Sequence, residues 1–338
     1  MIEALSPKRN FGFLLYLFAA VLFLSRPGLA DQSRSFLKCF DNPAACEQPA
    51  LEASRKDSER AARLAKNKRL KASELHANDI AIIIGNRDYL GLIPDVDFAH
   101  NDADAVTKYV ETELGFSAAH ILDLREATSA KLEALFGNHR THEGRLWRDI
   151  DPEGKSNVLV FYSGHGVPGL KDRRGYLLPV DADPEAPEMN GYPLDTLLTN
   201  LGKLNTQSVT VFLDACFSGE SQKGMLIRSV SGISVAPKMP TQPLSGVTVI
   251  TAARADQIAS WDETNKHGLF TLHLLDALYG GADQEGVGNQ DGNITLREVQ
   301  LYLDRHMTNA ARKQFGRRQN VWVKGQGEQV LVKLEKTK

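Results

Sequence analysis

Four short runs of the chain are almost wholly apolar and rich in β-branched residues: Ile80-Ala-Ile-Ile-Ile84, Val158-Leu-Val-Phe-Tyr162, Val209-Thr-Val-Phe-Leu213 and Gly246-Val-Thr-Val-Ile-Thr251. A strand with one wet face alternates apolar and polar residues. These do not, so each is expected to be buried on both faces. The segments between them have another period. Ala99, Ala103, Val106, Val110 and Leu114 fall at helical spacing and Gly115 stops them. Residues 120–124 read as a further strand, and 129–136, 194–204 and 269–279 as further helices. Strands alternating with helices need crossover connections, which predicts an α/β fold with a mostly parallel sheet and helices on both faces.

The length of 338 residues allows one large or two modest domains. With 24% charged residues and a net charge of −2, the chain has no concentrated basic face of the kind that binds nucleic acid. The first thirty residues stand apart. Lys8 and Arg9 precede an apolar run over 11–24, and Gly28-Leu29-Ala30 follows with small residues, the order of a secretory signal over 1–30. The run is shorter than the ~20 residues of a bilayer span, which favours cleavage over an uncleaved membrane anchor. Export to the periplasm or medium is therefore expected.

Cysteine usage agrees with export. Cys39 and Cys46 are spaced to close a short loop in an oxidising compartment, which leaves Cys216 as an odd thiol. Residues 31–76 form an N-terminal extension whose 51–76 stretch carries eight Lys/Arg and four Asp/Glu, the composition of a solvated tether. The folded domain is expected over 77–338, with a large portion to 219, a connecting loop over 220–245 and a small portion from 246. That loop holds Pro237, Pro240 and Pro243 and has no sustained period.

Two of the buried strands run into unusual turns, Ser163-Gly-His165-Gly166 and Asp214-Ala-Cys216-Phe-Ser-Gly219. Functional groups collect at the carboxyl ends of parallel strands, so a His and a Cys placed there can meet across the rim. The pairing has a chemical purpose. A thiol is mostly protonated at neutral pH while the thiolate is the nucleophile, and an imidazole can take the thiol proton and return it to the leaving amine. Cys216 and His165 are the expected dyad. The N–H groups of Gly166 and Cys216 are the natural donors to a developing oxyanion.

With these motifs the chain resembles the caspase-like cysteine peptidases, and among them the metacaspases and their bacterial relatives. The matching pieces are Ala81-Ile-Ile-Ile-Gly85-Asn86, Asn101-Asp102-Ala103, Tyr162-Ser-Gly-His165-Gly166, Tyr176-Leu-Leu-Pro-Val-Asp181-Ala-Asp183, Asp214-Ala-Cys216-Phe-Ser-Gly219 and Gly268-Leu-Phe-Thr271. Cys216 follows His165 by 51 positions, close to the ~50 of caspases. The resemblance implies a caspase-like three-layer sandwich and an endopeptidase acting through an acyl-enzyme.

It also implies an acidic first pocket at Asp102, Ser163 and Asp214. Two carboxylates would attract a guanidinium or ammonium group, so cleavage after Arg or Lys is expected. The bland reading of Asp102 is a helix N-cap. The expected partners are proteins or peptides with basic residues. Lys223, Arg228 and Lys238 offer sites for self-cleavage in the connecting loop.

No cofactor or metal site is assigned. Calcium is the one ion the resemblance raises, yet an acidic position seven residues after the cysteine in some metacaspases is here Lys223. A second stretch, Asn289 to Glu298, follows an EF-hand loop except that Val287 stands at its first ligand position, and a capped helix start is the simpler reading. Asp181 and Asp183 read as turn formers rather than ligands. Trp261 reads as either a substrate-facing or a core residue. The competing view of the whole domain is a caspase-like binding or regulatory module with little or no turnover.

Overall fold

The computed structural model describes residues 78–227, 237–240 and 246–334. The signal segment, the Cys39–Cys46 pair and the charged 51–76 stretch lie outside the described residues. Among the described residues, no helix is long and apolar enough to cross a membrane.

Six strands form the central sheet: β1 (Ile80–Gly85), β2 (Ile121–Arg125), β3 (Asn157–Ser163), β4 (Ser208–Asp214), β5 (Val247–Thr251) and β6 (Trp322–Lys324). Their spatial order is β6-β5-β4-β3-β1-β2. The pairings among β1 to β5 are parallel, and β6 adds antiparallel to β5. Among the described residues, the five helices of eight residues or more that cover it are α1 (Ala99–Thr112), α2 (Ser129–Phe136), α3 (Leu194–Leu201), α4 (Leu269–Leu278) and α5 (Leu296–Phe315).

The apolar strands divide their residues between two cores, as the period of two requires. Ile80, Ile82 and Ile84 of β1 pack with Val158 and Val160 of β3 and with Leu132, Leu135, Leu197 and Leu198 from α2 and α3. Ala81 and Ile83 face the other way. With Leu159, Phe161 and Phe212 they meet Val106 and Val110 of α1, Phe270 and Leu274 of α4, and Val299 and Leu303 of α5. Burial of each such Val, Leu, Ile or Phe contributes roughly 1.5–3 kcal/mol. The result is the three-layer α/β sandwich with a mostly parallel sheet.

The element boundaries follow local chemistry. The Thr128 side chain accepts from Lys131 N to cap α2, and Gly137 closes it. Thr295 and Glu298 form a reciprocal capping box at the start of α5. The expected strand at 120–124 is shifted by one residue, and the expected helix at 194–204 ends at Leu201, where Gly202 takes over. The connecting loop differs more. Its first residues fold into a small hairpin, Glu220–Ser221 against Gly224–Met225, and Leu226 and Ile227 are buried. An apolar pair anchors what a Gly- and Ser-rich composition suggested was open loop.

The chain leaves β1 toward β2 on one side and then crosses to β3 on the other. That reversal opens a crevice at the carboxyl ends of the strands. Asn86, His165 and Cys216 all lie just beyond those ends.

Candidate active site

The His165 turn is held from three directions. Its backbone N–H donates to the Tyr89 hydroxyl at 2.8 Å, its carbonyl lies 2.8 Å from the Tyr162 hydroxyl, and Leu178 N donates to that same carbonyl at 2.9 Å. The Tyr89 ring stands 4.6 Å from the imidazole, centroid to centroid. Fully buried Asn86 spans the neighbouring turns, accepting from Ala127 N at 2.8 Å and donating to the Leu178 carbonyl. The imidazole Nε2 is 2.6 Å from the Pro94 carbonyl. A carbonyl only accepts, so Nε2 carries the proton and Nδ1 is the basic nitrogen. Burial holds His165 down to about 4, so the ring is neutral at physiological pH.

Cys216 lies on the adjoining turn. Gly164 N donates to the Asp214 carbonyl at 3.3 Å, tying the two turns together. The approach is closest at Gly166, where a side-chain carbon would lie 2.5 Å from the Cys216 carbonyl, so only glycine fits. The thiol donates to the Glu220 carbonyl at 2.9 Å, and burial pushes its pKa up. The two turns therefore meet at one rim, while thiol and imidazole are hydrogen-bonded to different carbonyls. Both groups are neutral in this arrangement.

A carboxylate pair lies beneath the same rim. Asp214 ends β4 directly opposite Ser163 at the end of β3, and Asp102 reaches them from α1. Ser163 Oγ donates to Asp102 Oδ2 at 3.0 Å. The backbone N–H of Gly268 donates to both oxygens of Asp102, at 3.0 and 3.2 Å. Thr271, in the first turn of α4, donates to Asp214 through its N–H at 3.1 Å and its hydroxyl at 2.6 Å. A carbon added to Gly268 would lie 2.1 Å from Asp214 Oδ2 and 3.0 Å from Asp102 Oδ2, which measures how closely the carboxylates converge. The start of α4, whose first amides have no partner within the helix and donate to these acids instead, and its positive dipole end make two buried acids tolerable there.

The capping alternative for Asp102 does not hold, because α1 has no side-chain cap and the carboxylate bonds to another element. The recess formed by these residues is closed to solvent. Asp102 and Ser163 are each 1% exposed, and the His267 ring covers Asp102, with Nδ1 at 2.9 Å from Oδ1. Burial and the neighbouring Asp102 charge push Asp214 up to about 7. Burial raises Asp102 as well, and the bond to Asp102 raises His267.

The segment after Cys216 closes the rim from above. Lys223 pairs with Asp97 and sits over the Trp261 ring at 5.7 Å, and Trp261 N donates to Gln222 Oε1 at 2.6 Å. Trp261 is thus both buried and beside the site. Lys223 thus places an ammonium, paired with Asp97, at the first position raised for calcium. The second stretch takes the form of a capped helix start. Both oxygens of Glu298 are engaged, by Asn289 N and by Thr295, and Val287 supplies no ligand. Asp183 accepts from Glu185 N in the expected turn-forming role, whereas Asp181 accepts from Ser129 N at the start of α2, a tie between distant segments rather than a local turn.

Tyr89, Pro94, Thr271 and His267 escaped the sequence reading. The first two lie in an aperiodic loop, and Pro94 acts through its carbonyl, which any residue has. His267 and Thr271 flank or belong to the Gly268-Leu-Phe-Thr271 motif, so the position was legible while the partner was not.

The sequence profile of the caspase domain matches residues 78–326. No curated protein matches the chain. Among solved structures, caspase-1 from Spodoptera frugiperda is similar at 14% identity and TM-score 0.48, over 74% of this chain and 89% of that one. A protein from Geobacter sulfurreducens is similar at 17% identity and TM-score 0.49, over 76% of this chain and 100% of its own. With most of the described chain inside the profile, this protein belongs to the caspase domain family of cysteine peptidases.

Proposed function

We propose that the chain is a cysteine endopeptidase that cleaves after Arg or Lys through Cys216 and His165. The observation that carries the reading is the meeting of the two motif turns at one rim, Gly166 against the Cys216 carbonyl, directly above two converging aspartates. In this reading Nδ1 of His165 takes the thiol proton as sulfur attacks the scissile carbonyl. The Pro94 carbonyl holds the ring in the tautomer that makes Nδ1 the acceptor. The N–H groups of Gly166 and Cys216 stabilise the oxyanion, the imidazolium protonates the leaving amine, and water releases the acyl group.

Asp102, Ser163 and Asp214 bind the basic side chain on the acyl side. Because the thiol is high and the imidazole low, the dyad rests as a neutral pair, and proton transfer accompanies attack rather than preceding it. Substrate entry requires the Glu220 carbonyl to release the thiol. The reaction as drawn uses no metal or organic cofactor, and calcium is expected to leave the rate unchanged.

Protein and peptide substrates with basic residues are the proposed partners, together with the chain's own loop. Lys238 is exposed and suited to self-cleavage, whereas Lys223 is held by Asp97. Export through residues 1–30 remains part of the proposal, and amino-terminal mapping of the mature protein tests it.

The deciding experiment compares fluorogenic peptides ending in Arg, Lys or Asp under reducing conditions, with Cys216→Ala and His165→Ala as controls. Cleavage after Arg and Lys is expected, falling on the order of 10⁴-fold or more in each variant. Failure to cut any basic peptide, with or without calcium, rejects the enzyme and leaves a binding module.

A further inference from the structure

The carboxylate pair already has a cation-bearing neighbour of the chain's own. His267 lies on the strand of a two-residue hairpin, opposite Asp262, immediately before the glycine that donates to Asp102. Its Nδ1 bonds Asp102 Oδ1 at 2.9 Å, and its side chain is 24% exposed while that of Asp102 is 2% exposed. The ring is therefore the layer between the buried carboxylate and solvent. The charged groups acting on it are Asp102 from α1, Asp214 from the end of β4 and Asp262 from the paired strand. All three are acids. Lys266 precedes it in sequence, with its carbonyl engaged by Asn101 Nδ2.

We propose that His267 is a specificity-determining residue: its imidazole holds the cation seat of the Asp102–Asp214 pair, and a basic substrate side chain binds by displacing it. The inference rests on the proposed Arg/Lys specificity and adds what competes for that seat. A guanidinium offers more donors than an imidazole, in a planar fork matched to a carboxylate, and stays charged at any working pH. It can therefore replace the ring on Asp102. A neutral or acidic side chain cannot, because it would leave a buried carboxylate uncovered. The seat is filled until the right chemistry arrives, and wrong substrates are refused at this step.

The competition depends on pH. Protonated His267 opposes an incoming cation with its own charge as well as its hydrogen bond; neutral His267 keeps only the bond. Hydrogen bonding to Asp102 raises the pKa of His267, so its charge persists above the usual histidine range. The apparent affinity for a basic peptide is then expected to improve as the pH rises through that titration, by population shift.

The test measures KM and kcat for an Arg-ending peptide from pH 5.5 to 8.5 in the full chain, in His267→Ala and in His267→Gln. Gln keeps a donor without the charge and guards against a folding defect in the Ala variant. Expected is a KM about 3- to 10-fold lower than wild type at pH 6 in both variants, with kcat little changed. Both variants should also lose the fall in KM with rising pH. Unchanged or raised KM values, with the wild-type pH profile retained, would overturn the proposal.

A second readout separates this failure from failure of the peptidase reading. In Cys216→Ala protein, the NMR titration of the His267 ring is followed with and without the same peptide. A ring signal released by the peptide supports the seat even if wild type shows no turnover. Peptide turnover without any change at His267 rejects the seat alone, and no binding at all rejects both.

Discussion

Asp214 stands directly opposite Ser163 in the in-register pairing of β4 with β3, so both side chains leave the sheet on the face covered by α1 and α4. Because these residues precede Cys216 and His165 by two positions, the same register that brings the motif turns together also builds the acidic recess. The two carboxylates repel each other there, and the Asp214 charge is the one burial raises to about 7.

Asp214→Asn therefore separates fold from function. It removes a buried like-charge repulsion and keeps an oxygen to accept from Thr271, so the melting temperature is expected to hold or rise. Cleavage after Arg and Lys should fall on the order of 10²-fold in kcat/KM, the value of a lost charge-assisted pair. Thermal melts and peptide kinetics on the same sample check both halves. A large loss of stability with specificity intact would contradict the recess.

His165 makes a stability prediction with a defined sign. Its folded pKa of about 4 lies below the ordinary 6.5, so the unfolded chain binds more protons between those values. Its contribution is fully present above pH 6.5 and is lost as the pH falls toward 4. Asp214 acts oppositely, since its raised pKa makes the folded state bind more protons below pH 7. The two slopes offset each other in wild type. In His165→Gln the His165 slope is gone, and the variant should lose about 2–3 kcal/mol less than wild type between pH 7 and 4.5, read from denaturant melts. Parallel stability curves for the two proteins would refute the buried neutral ring.

The clasp over the thiol should be measurable by alkylation. The Lys223–Asp97 pair is about 40% exposed and worth at most ~1 kcal/mol, and the cation–π contact with Trp261 adds ~0.5–1 kcal/mol. Lys223→Ala is expected to raise the iodoacetamide reaction rate of Cys216 about 5- to 10-fold, with the melting temperature nearly unchanged. Equal rates would mean that the hairpin is held without help from Lys223, by Leu226, Ile227 and the Gln222–Trp261 bond.

Tyr89 offers a fourth check. Its hydroxyl accepts from His165 N and lies within 3.2 Å of the Leu178 carbonyl, all in the interior. Tyr89→Phe leaves that N–H buried without a partner and should cost about 1–3 kcal/mol. The pH dependence of turnover should keep its wild-type shape, because the Nε2 bond to Pro94 is untouched. A shifted profile would assign Tyr89 a direct part in the chemistry.

Much of the fold was legible because buried parallel strands leave a strong local signature. The runs at 80–84, 158–162 and 209–213 fall within β1, β3 and β4, and 129–136 coincides with α2. The short antiparallel β6 was not legible. Trp322-Val-Lys324 carries too few residues to show a period, and it becomes a strand by pairing with β5. Helix α5 was read only at its capped start. The hairpin after Cys216 was read as loop, since two apolar residues in a polar stretch reveal burial only once a groove receives them.

What the amino-acid order determines by itself is the alternation of buried strands and helices and the placing of His165 and Cys216 one turn past two such strands. Backbone propensity and apolar period are local properties, so a window of residues suffices to express them. Which atoms face those side chains was decided by tertiary structure alone. Pro94 and Glu220 meet the dyad through carbonyls common to every residue, and His267 meets Asp102 across 165 positions. Contacts of that kind depend on strand register and helix docking, which no single stretch of the chain encodes.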